Sequence, residues 1–262
     1  MVDTSAIDTS VPHSARIWNY WLDGKDNYPV DRQVGAQVAE VFPGIVLAAR
    51  TSRMFLGRAV RYLTADAGVR QFLDIGTGLP TVDNTHQVAQ RVVPEAKIVY
   101  VDNDPLVLAH AAALLTSTPE GMTCYVDADL YDPAAILAQA REPLDFEQPI
   151  ALILNGIMGH VADHAEAHAI IRHLLDALPS GSYLSLSDGT DMDPASVEAH
   201  RQYNQSGAIP YNLRPPAQIA AFFEGLELVE PGLVTFTEWR PEPSPWEERA
   251  EVPGLCGVGR KP

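Results

Sequence analysis

The chain has little that would staple it covalently or fasten it to a charged or oily surface. Only two cysteines occur in 262 residues, Cys124 and Cys256, each inside an apolar run and neither in a C-x-x-C pair. A disulfide framework and a zinc site are thereby excluded, and both thiols read as core residues of a reducing compartment, so a cytoplasmic location is expected. Basic residues are scarce, 18 against 34 acidic ones, for a formal charge of -16. Such a surface repels phosphate backbones and anionic lipid, so neither nucleic acid nor a membrane is expected as a partner. Long hydrophobic runs are missing too: Ile150 to Leu154 is among the longest, far short of the roughly 20 residues a bilayer requires. The polar stretch from Met1 to Pro12 lacks the basic start and apolar middle of a secretory leader. No repeat period is visible, and the prolines gathered at Pro241, Pro243, Pro245 and Pro253 read as an ordered surface loop.

What is present is a chain that is 46% hydrophobic, enough to bury a substantial core in one α/β domain over residues 1–262. From Ser14 to Leu22 the apolar residues Ile17, Trp18, Trp21 and Leu22 recur at helical spacing, with Ser14 as N-cap and Gly24 as stop. Two further helical patterns run from Asp31 to Phe42 and from Ile45 to about Ala65, the latter with Arg50, Arg53, Arg58 and Arg61 assigned to its polar side. These make a helical section over 1–66. From 67 to 262 the pattern changes to short apolar runs: Gln71–Ile75, Lys97–Val101, Thr123–Val126, Ile150–Leu154 and Tyr183–Ser187. They alternate with helical stretches at Asn84–Val93, Pro105–Leu115, Pro133–Arg141 and Asp163–Leu178, which predicts a parallel sheet joined by crossover helices. Leu226–Val229, Val234–Trp239 and Leu255–Gly259 would add an antiparallel edge.

The most informative run is Phe72-Leu73-Asp74-Ile75-Gly76-Thr77-Gly78-Leu79-Pro80. Two glycines directly after a buried strand let the backbone turn sharply and let a ligand approach without meeting a Cβ. A lone G-x-G is equally a tight turn, and the third glycine of a dinucleotide fingerprint is replaced by Thr81. Asp74, two residues before the first glycine, suits a cationic ligand better than a phosphate. Asp102 closes the next apolar run, roughly 20 residues on, where a carboxylate accepts from both ribose hydroxyls of NAD or of S-adenosylmethionine. Asp127 and Asp129 follow the third run, and Asp129 is preferred as acceptor for an adenine amino group. Carboxylate, glycines and second carboxylate at successive strand ends point to a bound nucleoside cofactor.

These residues resemble the loop of class I S-adenosylmethionine-dependent methyltransferases. A narrower likeness, to an actinobacterial family once catalogued as a domain of unknown function, rests on Ala15 to Tyr28 with Asp31-Arg32, on Gly78-Leu79-Pro80-Thr81 with His86, on Asp129-Leu130 with Asp132-Pro133, and on Glu230 to Val234. It covers nearly the full chain. Two positions depart from it: Asp23, where the family usually has glycine, and Asn155-Gly156, where more apolar residues are common. The resemblance implies a Rossmann-like, mostly parallel seven-stranded sheet with helices on both faces, an antiparallel last strand, and an N-terminal helical cap over S-adenosylmethionine. Cofactor contacts are then expected from Asp74, Gly76, Thr77, Gly78, Asp102, Asn103, Asp129, Leu130 and Asn155, and from Tyr20, Lys25 and Asn27 in the cap. Lys25 would pair the cofactor's carboxylate and an aromatic face would meet the sulfonium. Trp18, Trp21 and Tyr28 serve equally well to dock a terminal helix.

Around the reacting methyl the signal thins. Methyl transfer is mainly a matter of alignment, with a base added if the acceptor carries a proton; His160 is the one candidate base. His160, His164 and His168 are spaced by four, as in some metal sites, but a helix capped by Asp163 leaves only the last two in register, on a solvated face. No metal is expected. Asp188, Asp191, Tyr203, Asn204 and Tyr211 lie where an acceptor pocket would form, or on an ordinary surface helix near Ala195–Asn204 and its loop. The expected function is methyl transfer to a small molecule. A regulatory protein that binds the cofactor without turnover is the alternative, and a nicotinamide oxidoreductase is disfavoured by Asp74 and Thr81.

Overall fold

The computed structural model describes residues 8–114, 116–241 and 252–262. Pro243 and Pro245 of the expected proline loop fall outside them. Three helices come first: α1 (Ser14–Trp21), α2 (Pro29–Val41) and α3 (Ile45–Ala65). His13, not Ser14, caps α1, its ring accepting from Ala15 N–H. Asp31 closes a capping box at the start of α2. It is fully buried and also accepts from His13 N–H and from Arg16 Nε, so one carboxylate ties the two helices together.

The sheet follows as β1 (Gln71–Ile75), β2 (Lys97–Asp102), β3 (Met122–Asp127), β4 (Ile150–Asn155) and β5 (Tyr183–Gly189), linked by α4 (Thr85–Val92), α5 (Pro105–Leu114), α6 (Pro133–Ala140) and α7 (His164–Asp176). Then come α8 (Pro194–Tyr203), α9 (Pro216–Ala221), β6 (Glu227–Leu228), β7 (Val234–Thr235) and β8 (Gly254–Arg260). The order across the sheet is β3-β2-β1-β4-β5-β8-β6, with β7 also on β8. The first five strands pair in parallel and β8 runs antiparallel to β5. Eight ladder segments occupy seven positions, because β6 pairs with Gly259 and Arg260 while β7 pairs with Leu255 and Cys256. They are two halves of one edge strand. Pro231, which has no N–H to donate, and Gly232, at φ 93, separate them.

Because side chains alternate along a strand, the sheet feeds two cores. Leu73, Ile75, Leu152, Leu154, Leu184 and Leu186 pack with α6, α7 and α9. Phe72, Ile98, Tyr100, Ala151 and Ile153 pack with α3 and α4 on the other face. Asp74 shares the face of Phe72, so its neighbours come from α3 and α4. Arg58 leaves the polar side expected for it: it is buried, its Nε donating to the Trp239 carbonyl at 2.8 Å. Cys256 is buried in this second core, while Cys124 on the outer strand β3 is half-buried; both are free thiols. Among the described residues no helix is long and apolar enough to cross a membrane.

Candidate functional site

A cavity of about 320 Å3 opens above the carboxyl ends of β1, β2, β4 and β5, the edge where open α/β sheets bind ligands. Asp74, Gly76, Thr77, Gly78, Asp102, Asn103, Asp129, Leu130, Asn155 and His160 all line it, so ten of the residues singled out by sequence meet in one place. Gly76 and Gly78 stand at φ 72 and 63, and a Cβ on Gly76 would come within 2.5 Å of the Ile157 side chain. Only glycine permits that turn and that approach.

Asp74 is buried, its carboxylate accepting from Thr85 Oγ1 at 2.6 Å. Burial pushes its pKa up to about 6, against the opposing effects of the Thr85 hydroxyl and the Arg53 charge. Arg53, which the sequence reading assigned to the outer face of α3, instead lines the cavity. Its Nη2 donates to Asn84 Oδ1 at 3.3 Å, and its buried Nε has no partner. Burial lowers the guanidinium's pKa, with Asp74 the foremost charge opposing that. The signal was in the pattern: Arg53 shares a helical stripe with the buried Ala49, Leu56 and Val60.

Asp102 accepts from Gly78 N–H at 2.9 Å and from Asp104 N–H at 3.0 Å, one on each oxygen. It thus anchors the glycine loop to β2 while each oxygen retains a lone pair; burial raises its pKa. Asn103 Nδ2 donates to Asp129 Oδ2 at 3.1 Å, and the other Asp129 oxygen accepts from Tyr131 N–H at 2.9 Å. Both polar atoms of the Asn155 side chain are buried without a partner. Groups left in that condition cost free energy that a bound ligand can recover.

The cap contributes other residues than expected. Tyr20, Lys25 and Asn27 do not line the cavity. Tyr20 lies over Gly35, where a Cβ would meet its ring at 2.6 Å. Asn27 Nδ2 donates to Asn19 Oδ1 and to the Gly24 carbonyl, both at 2.9 Å. Lys25 is exposed. The Asn27 amide that made this segment look ligand-facing is spent on its own turn. His13, Ile17, Trp18 and Trp21 reach the cavity instead, with His13 Nδ1 2.9 Å from Asp104 Oδ2. Asp23 stands at φ 59, a left-handed backbone that accounts for glycine at this position in the family and that aspartate tolerates.

At the far end Tyr211 donates its hydroxyl to Asp188, which also faces Arg214 Nη1 at 3.4 Å. Burial raises Asp188 to about 6. Tyr211 passes over Gly159 so closely that a Cβ there would lie 2.4 Å from its ring. His160 and His200 both line this part. His164 and His168 do not: they are half-buried rather than solvated, with rings 6.4 Å apart and His164 5.3 Å from Phe222. Among the described residues no group of three or more His, Cys, Asp or Glu is placed to hold a metal.

A DUF574-family protein from Streptomyces avermitilis is 45% identical, with 97% of this chain and 99% of that one covered and a TM-score of 0.93. A protein from Thermobifida fusca is 38% identical, covering 97% and 96% at a TM-score of 0.88. A SAM-dependent methyltransferase from Anabaena variabilis, 14% identical over 78% of this chain and 84% of that one at a TM-score of 0.51, shares the fold. No curated protein matches. A family model described as S-adenosyl methyltransferase matches residues 2–262, and the chain belongs to that family of S-adenosylmethionine-dependent enzymes.

Proposed function

We propose that the chain transfers a methyl group from S-adenosylmethionine to a small-molecule acceptor, with residues 1–66 capping a core over 67–262. The observation that carries the cofactor assignment is the presence of Asp74 and Arg53 in one wall, opposite charges that act on each other, with the buried Arg53 Nε left unpartnered. An amino acid moiety has the matching charges: its ammonium relieves the buried carboxylate and its carboxylate completes the guanidinium. Asp102 takes the ribose hydroxyls, Asp129 with Asn103 and Leu130 the adenine, and Asn155 the methionine chain beside Gly76 and Gly78. When bound, the cofactor supplies an electrophilic methyl whose bond to sulfur breaks with the electron pair remaining on sulfur. The protein's part is to hold and align the two reactants and to keep water out. An acceptor of low molecular weight suits a cavity of this volume and a net charge of -16, and two unpaired thiols suit the cytoplasm.

The test is calorimetric titration with S-adenosylmethionine and S-adenosylhomocysteine, followed by incubation of methyl-labelled cofactor with a metabolite extract. Label should pass to a metabolite while S-adenosylhomocysteine accumulates. Asp102→Ala should weaken binding about a hundredfold, the cost of two hydrogen bonds to a charged acceptor. Absence of binding overturns the cofactor site, and binding without S-adenosylhomocysteine in any fraction overturns the transfer.

A further inference from the structure

The cavity has a second polar end that the cofactor assignment leaves unused. His160, in a 3-10 turn at Met158–His160 after β4, and His200, on α8, are pinned in the same way. Each Nδ1 lies 2.8 Å from a main-chain carbonyl oxygen, that of Pro210 for His160 and that of Ser196 for His200. A carbonyl oxygen only accepts, so Nδ1 carries the hydrogen and, in the neutral ring, the lone pair lies on Nε2. Burial lowers the pKa of both rings, which keeps them neutral at pH 7. No described residue supplies a partner to either Nε2. Both rings pack on one phenol, that of Tyr211, at 5.2 and 5.6 Å. The Tyr211 hydroxyl is itself committed to Asp188, so it offers no free hydrogen to either ring, and the two Nε2 atoms stand as acceptors on this stretch of wall. Beside it Ile17, Trp18, Trp21 and Tyr203 form an apolar surface.

We propose that His160 and His200 form the acceptor subsite, and that the acceptor is a hydroxyl-bearing small molecule with an apolar body, its O–H donating to a histidine Nε2. The proposal rests on the methyl-transfer reading. His160, four residues beyond Gly156 after the end of β4, takes the hydroxyl proton on Nε2. The oxygen's electron pair is thereby freed for the methyl carbon, and the imidazolium returns its proton to water. His200 holds a second donor of the same molecule. Two neutral acceptors favour an uncharged phenol or alcohol over an ammonium, since the Asp188 carboxylate at this end is already engaged by Tyr211 and Arg214.

The test uses the full chain labelled with 15N in histidine, with catechol, which is uncharged at pH 7, as the probe. Long-range 1H–15N spectra of the free protein should show both rings as the Nδ1–H tautomer at pH 7. With S-adenosylhomocysteine bound, catechol should shift both Nε2 signals. His160→Gln and His200→Gln should each weaken its binding about tenfold while S-adenosylhomocysteine affinity changes less than twofold. Either ring found as the Nε2–H tautomer or as imidazolium overturns the proposal, as does undiminished catechol binding in both variants. Equal binding of 1,2-dimethoxybenzene, which has no hydroxyl to donate, overturns it too. Failure of S-adenosylhomocysteine to bind the parent chain instead overturns the methyl-transfer reading, and the tautomers remain readable without any ligand.

Discussion

Replacing Asp74 by asparagine should make the protein more stable and a poorer binder at once. The carboxyl is buried, and burial raises its pKa from the ordinary 3.8 to about 6. A folded-state value above the unfolded one means that the folded protein holds the proton longer as pH rises. Below pH 3.8 the group is neutral in both states and costs nothing. Between 3.8 and about 6 the folded state loses ground, and above that the full difference applies. At 1.36 kcal/mol per pH unit it amounts to about 3 kcal/mol, equivalent to roughly 6–10 °C in Tm for a chain of this length. Asp74→Asn keeps an oxygen to accept from Thr85 and escapes the penalty. Thermal melts from pH 4 to pH 8 should therefore show variant and parent close together at pH 4 and the variant progressively higher up to pH 7. S-adenosylhomocysteine binding should meanwhile fall at least tenfold, since the ligand's ammonium loses its counter-charge. A variant that melts no higher than the parent at pH 8, or a gap that narrows with rising pH, refutes the view of Asp74 as a carboxylate held at a cost for its ligand.

Arg53→Gln should weaken S-adenosylmethionine about tenfold or more by calorimetry while leaving decarboxylated S-adenosylmethionine unaffected; equal losses for both ligands would remove the guanidinium from the carboxylate. Arg16→Ala strands the fully buried Asp31 and should destabilise the protein by about 3 kcal/mol, read as a lower urea midpoint; a midpoint within error of the parent would show that α1 and α2 do not depend on the pair.

The parts of this molecule that sequence discloses are those set by local periodicity. The third helix runs over Ile45–Ala65 and the first strand over Gln71–Ile75, both as expected, because a stripe of apolar residues or a short buried run bounded by Asp and Gly has one good solution. The loop from Asp74 to Gly78 and the carboxylate at Asp102 are legible for the same reason: their chemistry is tied to strand ends. Tyr20, Lys25 and Asn27 lie off the cavity, and composition could not place them, because a polar turn that bonds to itself, as Asn27 does to Asn19, and one that faces a ligand look alike in sequence. Arg53 shows itself only through the apolar stripe it shares with Ala49, Leu56 and Val60, and His200 escapes notice because it belongs to the cavity through helix packing, which depends on contacts far along the chain. The short α9 is hidden by Pro215 and Pro216, which look like loop residues although Pro216 takes the first helical position.

The insertion of β8 between β5 and the β6–β7 edge has a consequence during synthesis. Residues 254–260 are made after every other strand, yet they lie inside the sheet. Until they emerge, β5 presents an open ladder and β6 and β7 have nothing to pair with. A nascent chain that has reached Trp239 therefore carries most of its core and a raw edge containing Leu184 and Leu186, the kind of template on which strands of other molecules add. Fragments released in this interval should therefore aggregate more readily than the full chain.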